Sequence, residues 1–470
     1  MSLPLSFEDA TAEVLAQSKL LLHIVQGPGV KYSDLFFEDA VLGAVHAEIQ
    51  RPAQVTPIHR SVNTATTGVA IRAFDNKQHH VIPVAGWQPA AWTDAAGALK
   101  QKFPRNTRSQ VDLAVATEIN TGNVPPQDAA HAVSAEARQH VLNGMLDMLR
   151  GATDVQRARA TLQYQHRRAL TINTEGQALE QQRAAFGVRL DVWEMSGWHA
   201  WGQAGYETAF GELAFEGGAK LVQEVIARSN RLAKARPVKE GRWPVVFAGG
   251  WPGVWLHETA GHMLEADVLP TRLSPGDMIG PAALTVFDDP GLPEQRGTYA
   301  FDDEGNRGKR TMLIEAGKMV GVLNDRFFAS RRGEALTGHG RRMHYMHLPA
   351  PRMSNLCLAA GPATPEALIQ DVDEGLYVLQ AGAGRIDVAT DSVTLEVHDG
   401  YWIEKGRLTH PVSGVQITAS RFDVLKNISG IANDVTKDHG TGVCEKAGQQ
   451  VSVSMQTPTV LIRALQLVQQ

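Results

Sequence analysis

The chain has little of several things. There are two cysteines, Cys357 and Cys444, in 470 residues, which excludes a disulfide framework and fits a reducing compartment such as the cytoplasm. Long hydrophobic runs are missing too. The longest, Val245 to Leu256, falls far short of the ~20 residues that span a bilayer, so no membrane role is expected. The N-terminal stretch MSLPLSFEDATAEVLAQSKLLLHIV places acids ahead of its apolar residues and has no basic start, unlike a secretory signal. Charge of one sign is also scarce: the net charge is −5, which gives no reason to expect nucleic acid as a partner. Glycine clusters such as GGWPG are not followed by the G-K-[ST] element of a phosphate cradle.

What is present is an ordinary globular composition, 43% hydrophobic and 20% charged, long enough for two or three domains. The pattern predicts an α+β protein. Residues 1–127 form an N-terminal α+β unit and 128–236 a central one, separated by a polar connection over 106–128 that contains Pro125 and Pro126. Residues 237–470 form a β-rich, mostly antiparallel domain. Helices are expected over 7–26, 90–102, 130–149 and 218–235, and strand, turn and strand over 32–49. A strand pair over 68–82 turns at 75–77 and sets His79 and His80 on opposite faces, which argues against a shared metal there. The stretch SGWHAWGQAGYETAF (196–210) is expected to be a loop on the substrate side or at an interface. In the last domain, hairpins are expected over 313–325 and 401–412, and Thr364-Pro365 starts a helix. Acidic turns at Asp288-Asp289 and Asp302-Asp303-Glu304 lack the alternating oxygens of a calcium loop and read as solvated.

The chemistry concentrates in WPGVWLHETAGHMLEADVL, 251–269. Two histidines, His257 and His262, can bind a metal as neutral imidazoles, and Glu258 can take a proton from water activated there. The spacing is H-E-x-x-x-H. Five residues of regular α-helix advance roughly 500°, which leaves the second ring about 140° around from the first. Both can face one ion only if the helix is widened, as in a π-bulge, and Gly261 would make that distortion cheap. Glu265 and Asp267 follow on the same segment as further possible ligands.

Several stretches in order, GGWPGVWLHETAGHMLEAD (249–267), TVFDDP (285–290), FDDEGNRGKRTMLIEAGKMVGVLNDR (301–326), TGHGRR with HLPAPRMSN (337–355) and GTGVCEKAGQ (440–449), resemble the TldD/PmbA family of metallopeptidases across nearly all of 244–455. The resemblance implies a zinc peptidase with His257, His262 and Cys444 as ligands and Glu258 as general base. Three ligands leave a position open, as a catalytic zinc requires. Cys357 has no corresponding role and reads as packing. Arg341, Arg342 and His347, in the donor-rich GRRMHYMH segment, are candidates for binding substrate. Substrates would be extended peptides or unfolded polypeptides added along a strand edge. Partners would be a second copy or a related subunit without the zinc motif. A zinc amidase or deacylase, and a peptide-binding module that does not cut, are the alternatives.

Overall fold

The structure is a computed structural model, and it describes residues 11–26, 29–50, 54–103, 120–122, 133–149, 154–206, 218–439 and 442–469. It is mixed α+β with mostly antiparallel sheets. The N-terminal half is built on one seven-stranded sheet whose spine is four long strands, Tyr32–Gln50, Gln54–Phe74, Val155–Asn173 and Ala178–Glu194. The expected turn within 32–49 does not form. Tyr32–Gln50 runs unbroken because its residues pair with Gln54–Phe74 on one side and Val155–Asn173 on the other. Main-chain groups satisfied on both sides leave no reason to turn. Val155–Asn173 runs unbroken for the same reason, paired with Tyr32–Gln50 on one side and Ala178–Glu194 on the other.

The expected loop at 196–210 is corrected in part: His199–Tyr206 is a strand, in register with Phe186 to Trp193. A Cβ at Gly202 would lie 2.6 Å from Val225, so this glycine lets the helix Gly218–Leu232 settle onto that strand. Residues 207–210 and the expected boundary near 127 lie outside the described residues. Strands from both sides of that boundary share the one sheet.

Helices cover the sheet in two places. Thr11–Val25 and Pro89–Lys100 bury Leu21, Leu22, Trp92 and Leu99 against Leu35, Phe37, Ile71 and Ile172. Ala135–Met148 and Gly218–Leu232 bury Leu142, Met145, Val222 and Val225 against Val45, Leu162, Val188 and Leu190. Each such side chain contributes about 1.5–3 kcal/mol. Ser134 caps the third helix, accepting from the Ala137 amide at 3.2 Å.

The C-terminal half holds two larger sheets. In one, Glu374–Asp387, Gly241–Phe247, Val460–Gln469, Val415–Ser420 and Ser392–Glu404 follow one another, and the last pairs back with the first, so the sheet closes on itself. The other is six-stranded and includes Val286–Asp288, Asn355–Leu358 and Ser454–Thr457. The apolar motif segment, with Trp255, Leu256, Met263 and Leu264, is buried in the core they share.

Asp302, Asp303 and Glu304 are not solvated; all three are buried. Arg72, on the N-terminal sheet, reaches Glu304 Oε1 at 2.5 Å and Asp34 at 3.0 Å. Arg167 Nη1 lies 3.3 Å from Asp303, and Asp303 also accepts from the Arg342 amide at 2.8 Å. Asp303 and Glu304 fasten the two halves together, and leaving either unpaired would be costly.

Candidate metal centre

The strand Gly241–Phe247 delivers the chain to Gly250 (φ 82°), whose amide donates to Thr457 O at 3.1 Å. A 3₁₀ turn, Trp251–Gly253, and one turn of α-helix, Val254–Leu256, follow. His257–Gly261 is then a π-turn: the His262 amide bonds back to His257 O, five residues earlier. The extra residue per turn closes the angular gap that a regular helix would leave. The rings of His257 and His262 come within 4.9 Å, centroid to centroid, at an interplanar angle of 84°. Gly261 serves this turn by its size rather than by its φ, which is not positive. A Cβ there would stand 2.2 Å from Met353 Sδ.

Cys444 comes from the other end of the domain, on the hairpin of Val443–Lys446 and Gln449–Ser452. Ala447 and Gly448 turn it with φ of 51° and 72°, the positive pair that a tight hairpin requires. Arg352, fully buried, donates to Cys444 O at 2.7 Å and to Gln449 O at 3.3 Å, pinning the hairpin from beneath. Cys444 Sγ thereby lies 3.4 Å from His262 Nε2. One ligand atom from each of His257, His262 and Cys444 falls within 4.8 Å of the others, in a buried site.

Behind these three donors, His262 Nδ1 lies 2.8 Å from Glu265 Oε2, and Lys446 Nζ lies 2.9 Å from the same oxygen and 3.0 Å from Asp267. Glu265 thus orients His262 from its far side, away from the other two donors. Burial works against the charge of Glu265, but His262 and Lys446 outweigh it and hold the carboxyl at about 2. Burial likewise opposes the charge on Cys444, yet the two imidazoles hold its thiol well below the usual range. Burial raises Asp267. A soft thiolate and two imidazoles suit a borderline-soft divalent ion. His257 Nδ1, buried without a hydrogen-bond partner, fits a donor set arranged for an ion. Glu258 sits on the same π-turn, mostly buried, packed so closely on the next wall that a Cβ at Gly384 would stand 2.3 Å from its Cγ.

Residues 240–469 match the family model described as the PmbA/TldA metallopeptidase C-terminal domain. Over 366 residues the chain is 30% identical to Metalloprotease slr0863 of Synechocystis, a match that covers 75% of this chain and 77% of that protein. The chain belongs to the TldD/PmbA metallopeptidase family. It is also 37% identical over 238 residues to a Metalloprotease TldD homolog of Haemophilus influenzae, covering 50% of this chain and 49% of the relative. For that relative and similar ones the chain spans about half their length. Among solved structures, TldE from Thermococcus kodakarensis has the same fold, with a TM-score of 0.71 at 15% identity, over 98% of this chain and 100% of that one.

The other residues singled out in the sequence are placed as follows. Arg341 and Arg342 are buried, and their guanidinium groups bond within the protein: Arg341 to Met353 O and Ser452 O at 2.5 and 2.7 Å, Arg342 to Asp303 O at 3.1 Å. His347 packs against His344, ring centroids 4.2 Å apart. Cys357 is buried beside Asn355 O, and burial raises its thiol. His79 faces Arg72 and Phe327 while His80 faces Gln78 and Phe103. Sequence reasoning assigns nothing to Arg352, Met353 or Gly384. For Gly384 a signal exists, since an isolated glycine within a strand marks a close approach.

Proposed function

We propose that this chain is a zinc-dependent peptidase that hydrolyses extended peptides or unfolded polypeptides. The observation that carries the reading is the convergence of His257, His262 and Cys444 in a buried cluster with Glu258 on the same π-turn. His257, His262 and Cys444 would hold the ion and leave room for one more group, as a catalytic site needs. Zinc there supplies Lewis acidity, which acidifies water and polarises a carbonyl.

The chain's own residues supply the rest. Glu258 takes the proton of the attacking water and passes it to the departing amine, a role that general-base carboxylates perform with rate effects of about 10²–10⁴. Glu265 fixes the ring orientation of His262, which keeps its Nε2 toward the ion. Arg352 holds Cys444 at its station through the main chain. Arg341, Arg342 and His347 act on the substrate side. The protein works in the cytoplasm, where its two free cysteines stay reduced, as a homodimer or with a related non-catalytic subunit. The TldE-like fold supports such a pairing.

The test is digestion of one protein in native and unfolded form by the zinc-loaded enzyme, read by mass spectrometry. Cleavage confined to the unfolded form is expected. No cleavage of either would refute the peptidase reading, and equal cleavage would refute a recessed site that takes extended chains.

A further inference from the structure

A cavity of about 420 Å³ opens where the N-terminal sheet meets the C-terminal domain. The middles of the long strands supply one side, including Leu42, Val62, Tyr164 and Ala184. The segment 341–344 and the Cys444 hairpin supply the other, through Val443, Gln450, Val451 and Ser452. None of the clustered metal donors lines it. Even so, Cys444 follows Val443 directly and pairs with Val451 across the hairpin, so the cavity lies one strand residue from the candidate metal centre.

Its charge is lopsided. Among the described residues, Arg167, Arg183, Arg296, Arg341 and Arg342 line it, against one carboxylate, Glu38. Glu38 is already engaged, by Arg167 Nε at 2.5 Å and by the Tyr345 amide at 2.7 Å. Donors are left over: Arg342 Nε and Nη1, Arg341 Nε and Arg167 Nη2 are buried with no hydrogen-bond partner. These three arginines are 1%, 3% and 6% exposed. Burial, and then the charge of Arg72, brings the Arg342 guanidinium down to about 10; burial does the same to Arg183 despite Asp303. Asp303 shares in the charge of Arg167 and Arg183, but the guanidinium nitrogens just named have no partner of their own, and buried donors without partners call for a ligand or solvent.

We infer that this cavity is a subsite for a carboxylate carried by an extended peptide, with Arg342, Arg341 and Arg167 as its donors. The inference rests on the peptidase reading for the ligand's class. Guanidinium groups match carboxylates in plane and charge, and form their strongest hydrogen bonds to them. The apolar lip, where Leu42 is 52% and Val62 60% exposed, suits the neighbouring side chains of such a chain. Two sources of carboxylate fit: the peptide's C-terminus, or an acidic side chain.

The experiment is calorimetric titration of the full-length Glu258→Gln protein with three probes: acetyl-tri-alanine as free acid, its C-terminal amide, and the amide with glutamate in the middle position. At least tenfold tighter binding of the free acid, or of the glutamate peptide, over the neutral amide is expected, and the winner identifies the source. Equal binding of all three overturns the inference. Arg342→Gln should erase the preference; because Arg342 also holds Asp303, the decisive variant is Ala184→Glu, which puts a carboxylate on the cavity wall. The preference should vanish in it, the free acid and the glutamate peptide binding no tighter than the neutral amide, and a preference that persists would place the site elsewhere. Binding is read without turnover, so a protein that cuts peptides but shows no preference overturns only the subsite. One that shows the preference but never cuts overturns only the peptidase reading.

Discussion

Lys446 Nζ and Glu265 Oε2 are 2.9 Å apart, and the same carboxylate oxygen lies 2.8 Å from His262 Nδ1. One buried carboxylate therefore ties the motif helix to the hairpin that carries Cys444, two residues before Lys446. Two segments separated by 182 residues are held in register by this link and by Arg352 below it. Lys446→Met and Glu265→Gln should each weaken metal binding about 10–100-fold, the usual cost of losing an orienting partner, with the fold intact. Chelator competition on the purified variants checks this; unchanged affinity in both would mean the link is only structural.

Glu258→Gln should retain the metal and lose turnover by about 10²–10⁴-fold, because an amide cannot take up the proton. Gly384→Ala should act in the same direction by displacing Glu258, whose Cγ would lie 2.3 Å from the new Cβ. Elemental analysis paired with a peptide-cleavage assay separates metal loss from loss of the base. A metal-loaded Glu258→Gln protein with full activity would remove Glu258 from the chemistry.

Gly261→Val should destabilise the protein by about 1–3 kcal/mol through overpacking against Met353. Met353→Ala should recover part of that loss, since the two residues compete for one space. Urea unfolding of the two single variants and the double, without metal, gives the coupling. Strict additivity would show that Gly261 is needed for some reason other than Met353.

Much of the site was legible in the sequence, and the reasons differ from residue to residue. The i, i+5 spacing of His257 and His262 requires a widened turn, and the π-turn is there, because helical angles follow from spacing alone. Cys444 could not be found that way. Nothing local links it to a motif 182 residues away, and only the family resemblance pointed to it. Gly261 was expected to supply conformational ease, whereas it supplies room for Met353, a tertiary neighbour. The long strands were underestimated because pairing on both sides suppresses turns that local composition suggests. Asp302, Asp303 and Glu304 look solvated in isolation; Asp302 is satisfied by Asn306 and the Gly340 amide, and the arginine partners of Asp303 and Glu304 lie on distant strands and on a following segment.

Acid stability should depend on His79. Burial, and then the Arg72 charge, push its imidazole down to about 2, whereas in the unfolded chain it titrates near 6.5. A depressed folded value means the stabilisation is complete above about 6.5 and drains as pH falls toward 2. Relative to His79→Phe, which keeps the stacking on Phe327, wild type should lose about 1.4 kcal/mol per pH unit below 6. Urea unfolding at pH 7.5, 6 and 5 measures the difference. A constant offset between the two proteins would show that His79 does not titrate in this range.

The central claim is that Cys444 is a ligand of the same ion as His257 and His262. Cobalt substitution tests it directly, since a thiolate on cobalt gives a sulfur-to-metal charge-transfer band and a buried bystander thiol does not. The cobalt protein should show that band, Cys357→Ala should keep it, and Cys444→Ala should lose it together with most of the bound metal. A wild-type cobalt protein without the band, or a Cys444→Ala protein with full metal content, would contradict the account.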